Sequence, residues 1–192
     1  MKIARDKLQM KVVSQLNLRA MLDLWARQNA ADPAARFIGD ELNVEGHFWM
    51  GPDLYLGLKE PFNEKEEAVI LKVKGASQLK QDDVLAADAV SVWRTLSLQV
   101  EDKVMGISDM LRVDGALYIL SSCPKDMKLG VCGALWKYTN PEQNGNGLKL
   151  VKEFDGIKPE GLSYRESSKD FVIVFDAGRK GRPSMMFVPK AL

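Results

Sequence analysis

Histidine and cysteine are nearly missing from this sequence. His47 is the one histidine among 192 residues, and Cys123 and Cys132 are the two cysteines. So few nitrogen and sulfur ligands argue against a zinc site. A Ser-His-Asp triad would have to use His47, and no serine stands out as its partner. Excess charge is missing too. The 27 basic and 26 acidic side chains leave a net charge of +1, which gives no electrostatic footprint for nucleic acid or an anionic membrane. No apolar run approaches the roughly 20 residues of a membrane helix. The first seven residues are charged and lack the apolar stretch of a signal peptide. The expectation is a cytoplasmic protein, or a periplasmic or exported one if a leader preceded this numbering. Nucleophile-elbow, Walker and dinucleotide signatures are also missing.

What is present is self-similarity. Three segments share a short strand start, a turn and a Leu/Tyr/Ile-rich strand. The first joins Val44-Glu45-Gly46-His47-Phe48-Trp49 to Leu54-Tyr55-Leu56-Gly57-Leu58. The second joins Ile107-Ser108-Asp109-Met110-Leu111 to Ala116-Leu117-Tyr118-Ile119-Leu120. The third joins Pro159-Glu160-Gly161-Leu162-Ser163-Tyr164 to Phe171-Val172-Ile173-Val174-Phe175. Glu45, Ser108 and Glu160 take the matching place, 63 and then 52 residues apart. That spacing fits β-propeller blades with loop insertions. The predicted fold is all-β: about three four-stranded antiparallel blades over residues 40–100, 104–154 and 156–192, with one short N-terminal helix.

Further strands are expected at residues 68–73, 134–138 and 185–188. Fourth strands are expected at 96–100 and 148–150, where apolar and polar residues alternate. The third blade lacks a fourth strand, and residues 7–13 offer a spare one. Leu18, Met21, Leu22 and Trp25 fall on one face of a helix over residues 18–31, with Asn17 as its cap and Pro33 beyond it. Its apolar stripe suits packing on a sheet, or else a partner-binding face or lid. Three blades do not close a ring, so exposed blade edges point to self-association, in the simplest case a homodimer. Cys123 and Cys132 lie nine positions apart. A bridge across a hairpin loop and two separate thiols are both open.

Asn43-Val44-Glu45-Gly46, Leu54-Tyr55-Leu56-Gly57-Leu58-Lys59-Glu60-Pro61 and Ala68-Val69-Ile70-Leu71 resemble a stretch of the bacterial domain of unknown function 3616 family. Lys158-Pro159-Glu160-Gly161-Leu162 with Val174-Phe175-Asp176 is similar to a later Pro-Glu-Gly blade of that family. The resemblance covers roughly residues 40–188. It implies a propeller related in shape to phytase-like and lactonase-like ones, of unassigned activity and longer than this chain. Lys59 stands where the family has arginine, which weakens any bidentate anion role there.

In a propeller the first strand of each blade lines the central channel. Glu45 and Glu160, with Asp109 or Ser108, would there supply oxygen ligands to calcium or magnesium. The alternative is that each glutamate caps backbone N–H groups. His47 is a candidate general base, or a packed and hydrogen-bonded side chain. Lys158 and Lys59 are candidate substrate-binding cations. Arg179, Lys180 and Arg182 form a basic cluster that suits a solvated hairpin. Two functions follow. One is a binding or scaffolding propeller. The other is a calcium- or magnesium-dependent phosphoester or lactone hydrolase with the metal on the axis.

Overall fold

A computed structural model of the chain describes residues 16–81, 83–123, 131–142, 147–176 and 184–190. The expected strand at 7–13 and the basic cluster at Arg179, Lys180 and Arg182 lie outside the described residues. No helix among the described residues is long and apolar enough to cross a membrane.

Helix α1 spans Leu18–Gln28, three residues shorter than expected at its C-terminal end. The Asn17 side chain accepts from Ala20 N at 3.1 Å, so the cap forms as the sequence implies. The strands follow as β1 (Asn43–Met50), β2 (Asp53–Glu60), β3 (Ala68–Val73) and β4 (Val90–Leu96). A small hairpin of β5 (Gln99–Val100) and β6 (Lys103–Val104) links to β7 (Gly106–Val113), β8 (Ala116–Ser122), β9 (Val131–Tyr138) and β10 (Leu148–Asp155). The last strands are β11 (Lys158–Arg165), β12 (Asp170–Asp176) and β13 (Ser184–Pro189).

These form three up-and-down antiparallel sheets in chain order: β1-β2-β3-β4, β7-β8-β9-β10 and β11-β12-β13. Between sheets, β7 packs against β1 and β2 of the first sheet and against β11 of the third. This is the blade arrangement of a β-propeller, with first strands at the hub. One strand differs from expectation. The fourth strand of the first sheet is Val90–Leu96, not 96–100. Leu98 and Val100 do alternate, but they are buried in the seam between the first two sheets. Their pattern reports a connection packed into a core, not a sheet edge.

Each seam has its own apolar core. Phe48, Tyr55 and Ile70 of the first sheet meet Ile107, Met110 and Leu117 of the second. Tyr118, Leu120 and Leu135 of the second meet Phe171, Ile173 and Phe175 of the third. The far face of the first sheet carries Leu54, Leu56, Val69 and Leu71, and α1 covers it with Met21, Leu22 and Trp25. The helical stripe is therefore packed on the sheet and is neither a partner-binding face nor a lid. Trp25 is fully buried, and its indole N–H donates to Ala86 O at 3.0 Å and to Ala87 O at 3.2 Å. Trp25→Ala is expected to cost about 3–5 kcal/mol, read by urea unfolding. A loss below about 1 kcal/mol would show that this face does not depend on the helix.

Candidate functional site

In each of the three larger sheets the first strand carries a β-bulge near its start. The register skips Glu45 between Val44 and Gly46, Ser108 between Ile107 and Asp109, and Glu160 between Pro159 and Gly161. An extra residue bends the strand and re-aims a side chain. Glu45, Ser108 and Glu160 thus occupy equivalent positions at the same end of the three sheets. A second bulge lies on β2, where Asn43 pairs with Glu60 and Val44 pairs with Leu58, leaving Lys59 as the extra residue.

Lys59 turns into the second sheet. It is 4% exposed. Its Nζ donates to Glu45 Oε2 at 3.1 Å, to Ser108 Oγ at 3.0 Å and to Ser122 Oγ. The two serine hydroxyls stand 2.6 Å apart. An ammonium has three hydrogens, and all three find acceptors here. Burial holds the Lys59 amine below the ordinary lysine value, while Glu45 pulls it back up. A side chain on Gly106 would overlap the Lys59 carbonyl, so a glycine is needed where the β2 bulge meets β7.

Lys158 Nζ lies 2.8 Å from Glu160 Oε1. That oxygen is buried and has no well-directed donor, so the pair is held by charge more than by a linear hydrogen bond. Burial pushes the Lys158 amine down, but Glu160, Glu45 and Asp176 outweigh it and raise the value. Each lysine feels both glutamates, so Glu45, Lys59, Lys158 and Glu160 form one electrostatic cluster at the hub.

The structure therefore brings together Glu45, Glu160, Lys59, Lys158 and Ser108. Ser122 belongs to the cluster and was missed by sequence reasoning. Its signal was a pair of serines closing an otherwise apolar strand. Asp109 sits apart with both carboxylate oxygens engaged. Oδ1 accepts from Met110 N at 2.8 Å, and Oδ2 accepts from Leu162 N on β11 at 2.7 Å. Burial raises its value against those hydrogen bonds. Asp109 is a clasp between the second and third sheets. His47 is exposed on β1, pairs with Leu56 in the ladder, and contributes a favourable field at Asp109.

Among the described residues, no group of three or more His, Cys, Asp or Glu side chains could hold a metal ion. The positive charge beside each glutamate comes from a lysine. The Lys59 hydrogens are already taken, so the groups the cluster can offer to a polar ligand are the half-buried Lys158 ammonium and the Glu45 and Glu160 carboxylates.

These features define the class as an all-β protein of consecutive propeller blades. No family model matches the chain, and no curated protein matches it. Among solved structures, the GH43_1 enzyme from Xanthomonas citri complexed with xylose is similar, with a TM-score of 0.45 and 12% identity. The match covers 85% of this chain and 48% of that one, so the chain spans about half the length of that structure.

Because lysines supply the hub's positive charge, millimolar calcium or magnesium is expected to leave the melting temperature unchanged. A calcium-dependent rise that Glu45→Gln removes would give the site back to a divalent ion.

Proposed function

We propose that this chain is a scaffolding module of the β-propeller type, which works by stacking sheet on sheet. The supporting observation is a face of the third sheet that stays exposed among the described residues. Val174, Met185 and Phe187 are 43%, 63% and 49% exposed. They share one face, because Val174 pairs with Met185 and Val172 pairs with Phe187. The Arg165 guanidinium lies 4.3 Å from the Phe187 ring centroid and shields part of it. A contiguous apolar strip of this kind marks an interaction surface.

The occupant we favour is a second copy of the chain. Within the chain, each seam is an apolar sheet face against another. At the other end α1 covers β2 and β3, so a copy cannot stack its third sheet onto a first sheet. Two copies can instead join third sheet to third sheet about a twofold axis, which closes the assembly at a dimer. The face carries this reading more directly than the strand edges do. The likeness of Asn43-Val44-Glu45-Gly46 and Lys158-Pro159-Glu160-Gly161 to the domain of unknown function 3616 family is compatible with it, since that family has no assigned reaction. The pairing of Lys59 and Lys158 with the hub glutamates weighs against the hydrolase alternative.

Light scattering is expected to give about twice the 21.4 kDa chain mass at high concentration. Met185→Glu with Phe187→Glu is expected to return it to one chain. A wild-type monomer at the highest soluble concentration would overturn the reading, as would a dimer indifferent to both substitutions.

A further inference from the structure

Cys123 and Cys132 are unbridged in the structure. Strands β8 and β9 pair Ser122 with Gly133, and the next rung brings the two cysteines face to face. Cys123 N donates to Cys132 O at 3.2 Å, which holds that rung. Directly opposed residues of an antiparallel pair have Cα atoms about 4.5–5.5 Å apart, inside the roughly 4.4–6.8 Å that a disulfide spans. The Cys123 thiol points toward the facing strand, where it donates to Val131 O at 3.7 Å, the carbonyl just before Cys132. Cys123 is buried and Cys132 is half-buried.

From this juxtaposition we infer that Cys123 and Cys132 form a redox-active dithiol, a modification site that a small-molecule disulfide oxidises to an intrachain bridge.

The accessible thiol reacts first. Cys132, as thiolate, attacks one sulfur of glutathione disulfide. A Cys132–glutathione bond forms, and one glutathione thiolate leaves. Cys123 then gives up its proton, and its sulfur attacks Cys132 Sγ. The protein disulfide forms as the second glutathione thiolate leaves. The protein loses two electrons and two protons, and glutathione disulfide takes up both electrons.

The Cys123 thiol is pushed up to about 12 by burial, by its hydrogen bond with Cys132 and by the charge of that neighbour. Lys103 acts against this rise, and its ammonium donates to Val131 O at 3.2 Å beside the pair. Capping Cys132 with glutathione removes both contributions from the neighbouring thiol. The first attack therefore prepares the second. The pair also lies next to the hub, because Ser122, which takes a hydrogen bond from Lys59, immediately precedes Cys123.

The test uses the reduced full chain and glutathione disulfide as probe. After reaction, free thiols are alkylated and the protein is cut with trypsin. Lys125 and Lys128 lie between the cysteines, so the two peptides stay together only if bridged. Wild type is expected to yield the linked peptides from protein that runs as a single chain on a non-reducing denaturing gel. Its melting temperature should rise by roughly 5 °C and fall back on reduction. The closure rate should climb as pH rises from 7, following the Cys123 thiolate. Cys123→Ser should stop at a glutathione adduct on Cys132. The proposal is overturned if wild type also stops at that adduct, if the bridges run between chains, or if neither thiol reacts. The wild-type peptide map decides the matter even if the serine variant does not fold.

Discussion

Lys59 carries its ammonium out of the first sheet and into the end of the second. Removing such a charge from water is costly unless each of its hydrogens is taken. Glu45 supplies one acceptor from its own sheet, and Ser108 and Ser122 supply two from the next. The alignment of the two sheets is therefore specified by a polar contact as well as by apolar packing. A slide by one residue would leave a buried cation facing apolar side chains. Removing one partner from such an arrangement costs far more than the pair contributes over an apolar replacement, so its role is specificity before stability.

That contact exists because of two irregularities in otherwise regular ladders. A bulge at Glu45 turns a carboxylate toward the hub, and a bulge at Lys59 turns the amine across the seam. The same bulge recurs at Ser108 and at Glu160, so one backbone device is used three times with different side chains. In the first sheet it places an acid beside Lys59, in the second an acceptor for that lysine, and in the third an acid beside Lys158. The second seam is closed differently. The Asp109 carboxylate takes the Leu162 N–H, and Gly133 leaves room for the Pro159 ring. Apolar burial drives each sheet against the next, and these few polar groups fix the rotation and height at which it stops.

Much of this was legible in the sequence. The three Leu/Tyr/Ile strands announced themselves by apolar content bounded by turns, and the stripe from Leu18 to Trp25 announced a helix. The shared segment pattern puts Glu45, Ser108 and Glu160 at one equivalent position, where the three bulges fall. Other features were hidden for physical reasons. Leu98 and Val100 alternate like a strand because they are buried in a seam, while Val90–Leu96 reads irregularly because its middle, from Val92 to Arg94, is only partly buried. The burial of Lys59 was hidden because nothing local reveals a bulge on the second strand. The engagement of Asp109 was hidden because its Leu162 partner lies 53 residues away on another sheet.

The claim that Lys59 joins two sheets can be tested by a double-mutant cycle. Lys59→Met, Ser108→Ala and the combined variant are compared with wild type by equilibrium unfolding in urea. A coupling free energy of at least about 1 kcal/mol is the predicted result, because the serine loses its charged donor in one variant and the lysine loses an acceptor in the other. Strict additivity, with coupling inside about 0.3 kcal/mol, would mean that the two side chains do not meet across the seam, and the account of how these sheets are aligned would be wrong.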